Sequence, residues 1–364
     1  MKPLIRLFYN LFLKADSFPD PSSIEPNSVK NILVVRQHNQ LGDMLCSLPL
    51  FAALKNKFVN SKITLVCSDD NKEIFNSPDE KYIDEIILYN KSGLLSLYDF
   101  YRDLKLRKYD IGIVPSTVSF SKTSHIINAL AKPKLKAGVS NNGILVNEYD
   151  FMLDIKGSFL WNDEKKHQAL RNIDIVKPVG ASLSPEKVEK LHLHLSENEK
   201  KEAQEFLKKH LPLIKRYNIG FHPGAGKPPN RWSVENFAAI MEMLSAKYEC
   251  NFIITSGPHD TETVTHLTDI LKKKNIDFAV ASGKHIRVIA ALIHELDLYV
   301  TNDTGTMHVS GAVNTKTISI FGPTLGWEWA PLGKQNIFIQ SVDQDINSIS
   351  VEEVYNKCIQ ALEQ

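Results

Sequence analysis

What most constrains this chain is a repeated unit: a short apolar run, a loop of glycine or polar residues, then a helical stretch. NILVV (31–35), KITLVCS (62–68), IDEIILY (83–89) and YDIGIVPS (109–116) head such units in the first half. YNIGFHP (217–223), NFIITSG (251–257), DFAVASG (277–283), DLYVTND (297–303) and KTISIFGPT (316–324) do so in the second. Near-continuous apolar strands alternating with helices belong to parallel sheets covered on both faces. At 364 residues the chain is long for one domain and fits two of roughly 150 to 180 residues each. The expected fold class is α/β: two Rossmann-like doubly wound domains facing a central cleft.

The helices have their own signatures. Residues 43–58 read as a helix with Pro49 at a kink or late start. Ser196 and Glu199 form a capping box after KLHLHL, which alternates like a strand and puts His192 and His194 on one exposed face. Ser233 caps a helix running to Tyr248, with Phe237, Ile240 and Leu244 along one face. Further helices are expected over 260–274, over IRVIAALIHEL and from about Thr304. The expected organisation is an amphipathic segment and linker over 1–28, an N-terminal domain over 29–182, a C-terminal domain over 188–340, and a tail and helix over 341–364.

Composition narrows the function. A net charge of +1 gives no global reason to expect nucleic acid as a partner. The four cysteines are far apart with no metal-ligand spacing, which suits a reducing cytoplasm. No apolar run reaches the ~18 residues of a membrane span. The opening MKPLIRLFYNLFLKADSF interleaves apolar clusters with Lys2, Arg6 and Lys14. Residues 1–16 therefore read either as a helix lying on an anionic membrane or as one docked on the first domain.

Ligands of open α/β folds bind at the carboxyl ends of the strands. Unusual residues gather there: PGAGKPPNRW after NIGFH, SGPHD after NFIIT, NDTGTMH after DLYVT and GPTLGWEW after TISIF. In NDTGTMH, Asn302 or Asp303 sits where a helix is capped, and Thr304, Gly305 and Thr306 offer free N–H groups to a phosphate, with His308 one turn in. The plainer reading is a good N-cap and a surface histidine. HPGAGKPPNRW gathers His222, Lys227 and Arg231 around a glycine turn but matches neither a P-loop nor a dinucleotide fingerprint. Absence of GxGxxG disfavours an NAD-dependent dehydrogenase. Arg231 is the better candidate for chelating phosphate oxygens.

In the first half, RQHNQLGDML (36–45) follows a strand. Gly42 opens the turn and Asp43 begins the helix, where an acid is favoured by the macrodipole alone. The functional reading makes Asp43 a general base toward a hydroxyl. The DQD at 343–345 has the look of a short metal motif but lies in a polar tail, and no metal site is expected.

The blocks ILVVRQHNQLGDMLCSLPLFAALK, HPGAGKPPNRWSVENFAAIM and VTNDTGTMHVSGAVNTKTISIFGPT, with HQALRNIDIVKPVG between, resemble the ADP-heptose:lipopolysaccharide heptosyltransferase family (glycosyltransferase family 9) over roughly residues 31–335. The resemblance implies a GT-B fold with the acceptor on the N-terminal domain and a nucleotide-sugar donor on the C-terminal one. It implies inverting transfer without a metal or other cofactor, with Asp43 as base. It implies donor contacts from His222, Gly224 and Ala225 and from Asp303, Thr304, Gly305 and His308. Beside these, Lys227, Arg231, Ser256, Gly257 and Thr306 are donor-side candidates, and Arg36, His38 and Gly42 are acceptor-side or supporting ones. Two positions depart from the family's habit: His38 stands where many members have an acid, and Asn230 where many have a lysine.

The expected partners are a nucleotide-diphosphate sugar and a lipid-linked or oligosaccharide acceptor. The expected location is the cytoplasm, with peripheral contact at the inner membrane face through residues 1–16. Rival readings are a non-catalytic sugar-nucleotide or glycan binder of the same fold and a sugar-nucleotide epimerase.

Overall fold

The computed structural model describes residues 13–15, 24–38, 40–77, 80–89 and 93–364. The chain divides into two compact units, the first ending at Leu191 and the second starting at His192. Apart from residues 13–15, the segment 1–16 lies outside the described residues; the Ala15 N–H donates to the Phe151 carbonyl at 3.0 Å.

The first unit is built on strands β1 (Asn31–Val35), β2 (Lys62–Cys67), β3 (Glu85–Leu88), β4 (Ile111–Val114), β5 (Leu135–Asn141) and β6 (Ile155–Ser158). All pair in parallel, in the order β3-β2-β1-β4-β5-β6. The second uses β7 (Tyr217–His222), β8 (Cys250–Thr255), β9 (Ala279–Ala281), β10 (Leu298–Asn302), β11 (Thr317–Phe321) and β12 (Ile337–Gln340), again all parallel, in the order β9-β8-β7-β10-β11-β12. Within each unit this is the doubly wound order 3-2-1-4-5-6, whose direction reverses between the first and fourth strands. Strands β8, β10 and β11 are buried along their whole length, as strands with helices on both faces must be.

The second core shows why the helices fall where they do. Helix Val234–Lys247 turns Phe237, Ile240, Met241 and Leu244 inward against Phe221, Phe252 and Ile254. Each such burial contributes about 1.5–3 kcal/mol. The Ser233 hydroxyl accepts from the Asn236 N–H, and Ser196 and Glu199 complete their capping box. The Glu199 carboxylate also receives the Arg287 guanidinium, joining helix Glu197–His210 to helix Ile286–His294.

Three features depart from the sequence reading. The helix expected over 43–58 is two, Leu41–Leu45 and Leu48–Lys57, with Pro49 in the first turn of the second. A proline there removes no helical hydrogen bond. KLHLHL is no strand: Leu193 and Leu195 are buried and the Leu193 N–H donates to the Ala312 carbonyl at the end of helix Gly305–Ala312, so its partner is a helix terminus. Strands β5, β6 and β12 were not among the expected ones. The first two are interrupted by Lys, Gly or Ser, β12 has only three apolar residues, and β6 and β12 are sheet edges. In the segment 341–364, helix Val351–Glu363 places Val354, Cys358, Ala361 and Leu362 in the second core. Its DQD is a turn, with the Asp343 carboxylate accepting from Ser341, Ser348 and the Asp345 N–H.

Candidate functional site

The loops leaving β1 and β4 flank the first unit's point of reversal. The Arg36 N–H continues the ladder to Val66, and its guanidinium donates to the Pro115 carbonyl at 2.6 Å and to Asp43 Oδ1 at 2.9 Å. Arg36 is 6% exposed and Asp43 23%, so the cation is walled in while the carboxylate keeps a face to solvent. Among the described residues Asp43 Oδ2 has no partner, which leaves one oxygen able to accept a proton. A cavity of about 150 Å³ opens here, lined by Arg36, His38, Asp43 and the hydroxyl-rich stretch 115–119. The His38 carbonyl accepts from Asn71 Nδ2. Gly42 lies inside the helix as its second residue, and positive φ is found at other glycines, so the turn does not require its left-handed freedom.

In the second unit, β8, β7, β10 and β11 are neighbours, so the four loops singled out in the sequence emerge side by side. His222 is buried. Its Nδ1 meets Thr255 Oγ1 at 2.9 Å and its Nε2 lies 3.4 Å from Asp260 Oδ2. Thr255 Oγ1 in turn meets the Tyr299 hydroxyl at 2.7 Å. Burial pushes the His222 pKa down, against the Asp260 carboxylate and the Thr255 contact. The imidazole thus lies between the Thr255 hydroxyl and the Asp260 carboxylate, at the end of β7.

Asp260 ties two loops together. Its Oδ2 accepts the Gly257 N–H at 2.7 Å, and a Cβ on Gly224 would lie 2.1 Å from its Oδ1. Glycine at 224 thus makes room for a carboxylate of the fold.

At NDTGTMH the expected cap is corrected. Thr304, not Asn302 or Asp303, is the N-cap of helix Gly305–Ala312, and its side chain makes no cap hydrogen bond. The reason is that both residues are engaged elsewhere. Asn302 Nδ2 donates to the Pro223 carbonyl at 2.9 Å and its Oδ1 accepts the Trp232 N–H at 3.2 Å, joining the loops after β7 and β10. The Asp303 carboxylate accepts from Asn230 Nδ2 at 2.9 Å. Burial raises the Asp303 pKa, opposed by Thr324 and by the Lys227 charge. Thr304, Gly305 and Thr306 at the helix N-terminus are half-buried, and helix N-termini can take anions.

Around it, Arg231 Nε donates to the Ala225 carbonyl at 2.8 Å, Lys227 is exposed, Ser256 donates its N–H to Ala281, and the His308 ring packs edge-on against Trp329. Among the described residues no group of three or more His, Cys, Asp or Glu is placed to hold a metal ion.

Sequence reasoning missed Thr255, Asp260, Tyr299 and the hydroxyls of 116–119. Only Asp260 left a local signal, an acid in the loop just before a helix.

Two Rossmann-like units, each with its polar loops at the strand-order reversal, define the fold class: α/β of the GT-B type. The chain belongs to glycosyltransferase family 9 (heptosyltransferase), whose sequence profile matches residues 98–358. It is 26% identical over 311 residues to lipooligosaccharide heptosyltransferase 2 of Campylobacter jejuni, covering 83% of this chain and 85% of that one. Among solved structures it superposes on a family 9 glycosyltransferase of Veillonella parvula with a TM-score of 0.77 at 20% identity, covering 92% and 97% of the two chains. The E. coli ADP-heptose lipopolysaccharide heptosyltransferase II gives 0.73 at 19%, covering 92% and 99%. Among the described residues no helix is long and apolar enough to cross a membrane.

Proposed function

We propose that this glycosyltransferase moves a heptose from an ADP-heptose-like donor onto a lipopolysaccharide core or related cell-surface glycan, with inversion and without a metal ion. Family membership and the names of the relatives support the sugar and the acceptor class. The observation that carries the mechanism is the Asp43 carboxylate, held by Arg36 through Oδ1 at the mouth of a hydroxyl-lined cavity.

An acceptor hydroxyl oxygen attacks the anomeric carbon as its proton passes to Asp43 Oδ2. The bond from that carbon to the diphosphate breaks, and its electron pair leaves with the nucleoside diphosphate. Attack opposite the leaving group inverts the centre. The N–H groups at Thr304 to Thr306, with Arg231 and Lys227, stabilise the diphosphate charge in place of a cation. His222 and Asp260 act as positioning residues beneath the donor loops. Residues 1–16 hold the enzyme at the inner face of the membrane.

The test is nucleoside diphosphate release from ADP-heptose with and without acceptor glycan. Release should need the acceptor, and Asp43→Asn should lower turnover about 10²–10⁴-fold with donor affinity nearly unchanged. Near wild-type turnover in that variant removes the base assignment. Donor consumption without acceptor removes the transfer reading.

A further inference from the structure

We propose that the turn between β5 and β6, with Leu160 beside it, is a lipid-inserting finger that seats the first unit on the lipid phase presenting its acceptor; the inference rests on the acceptor reading above. Among the described residues, exposed large apolar side chains gather here: Ile144 at 67%, Val146 at 74% and Leu160 at 58%, with Leu145 and Val118 close by. The backbone brings Leu160 against the turn that carries Ile144 and Val146. The Phe159 N–H donates to the Asn141 carbonyl at 2.9 Å, and a Cβ on Gly143 would lie 3.3 Å from Leu160 Cα. Contiguous exposed apolar surface of this kind marks an interaction site.

The tip is built for an apolar medium. No charged side chain occurs in residues 140–147. Its successive N–H groups are satisfied internally: Gly143 donates to Asn141 Oδ1 at 2.8 Å, and Ile144 and Leu145 donate to Asn142 Oδ1 at 3.1 and 2.8 Å. The Asn142 N–H closes the turn on the Leu145 carbonyl at 3.2 Å. In a medium without water, each of these groups left unpaired would oppose insertion. A protein partner fits less well. The tip is aliphatic, without the Trp, Tyr or Arg anchors of protein interfaces, and five side chains fall far short of the about 20 residues a side that a standard interface engages.

The finger is also continuous with the cavity at Asp43. Asn142, itself buried, donates its Nδ2 to the Val118 carbonyl at 3.1 Å and lies 3.4 Å from that of Thr117. Both residues line that cavity. One carboxamide therefore shapes the apolar tip through its oxygen and holds the cavity wall through its nitrogen, so a lipid surface met by the tip lies beside the wall.

The test is the full chain carrying Ile144→Ser, Val146→Ser and Leu160→Ser, three exposed positions outside the proposed machinery. Flotation with phosphatidylcholine vesicles should show wild-type binding without anionic lipid and about tenfold weaker binding of the variant, since such binding scales with apolar area inserted. Its kcat/KM should fall about tenfold on an acyl-bearing acceptor and stay at the wild-type value on the deacylated glycan. A chain with Ile144→Leu and Val146→Leu should keep both properties. Equal vesicle binding by wild type and the serine variant overturns the inference, as does an equal loss on both acceptors or a wild-type dimer that the serine variant breaks. Should wild type transfer to neither acceptor, the activity reading fails, and vesicle binding still judges the finger.

Discussion

In the first unit, the loops after β1 and β4 bring a buried guanidinium against a carboxylate that keeps one oxygen open. In the second, the equivalent loops after β7 and β10 are joined through amides: Asn302 donates to the Pro223 carbonyl, and Asn230 donates to the Asp303 carboxylate. The strand order is the same in both. The difference teaches that one topology serves two tasks according to which charges it leaves uncompensated. An accessible acid beside a fixed cation suits proton transfer, whereas a helix N-terminus with no side-chain cap suits an arriving anion.

That contrast breaks most readily, after the Asp43 substitution, at Gly224. Gly224→Ala places a methyl group against Asp260, and overpacking of this kind costs about 1–3 kcal/mol. Donor affinity measured by calorimetry should fall about tenfold or more, with acceptor binding unmoved. Unchanged donor affinity would mean that Asp260 does not position these loops.

A smaller and opposite pairing of effects is expected at Asp303. Its raised pKa means that the folded state disfavours the ionised carboxylate. Stability from this group is lost as pH rises from the ordinary value near ~3.9 through the raised one. Asp303→Asn should therefore weaken donor binding by about tenfold while leaving Tm at pH 7 equal or higher. A lowered Tm would show that the carboxylate stabilises its loop.

The smallest effect is shared by the units. Burial lowers the pKa of His125, which bonds the Ser121 carbonyl and Asn147, as it does that of His222. Below the ordinary value near ~6.5 the unfolded chain binds protons that the folded one does not, so stability is full above that pH and falls beneath it. Urea midpoints at pH 7.5 and 5.5 should show the fall, and His125→Asn and His222→Asn should each flatten it.

Much of this was legible in the sequence because it is local. Unbroken apolar runs such as NILVV and NFIIT mark buried parallel strands, and Ser196 with Glu199 marks a helix start wherever it occurs. What was not legible depends on partners distant along the chain. Asn302 reads as a cap until Pro223 and Gly224, 79 and 78 residues away, claim its amide. Nor does anything local show that Gly224 makes room for Asp260. KLHLHL alternates as a strand does, yet it pairs with a helix terminus. Asn230 was noted only as a departure from the family's lysine. In the fold it is the neutral partner of a half-buried carboxylate, Asp303.

The closure of the second unit bears on how the chain is made. Tyr217, the first residue of β7, donates its hydroxyl to Leu362, 145 residues on, and Trp232 Nε1 donates to the Ile349 carbonyl. The hydrogen bonds of the first sheet all lie upstream of residue 160. During synthesis the first unit can therefore complete its sheet while the second is still emerging. The second must keep the face later covered by helix Val351–Glu363 open until that helix clears the ribosome. A pause in translation before residue 351 would thus expose apolar surface of the second unit and leave the first unit folded.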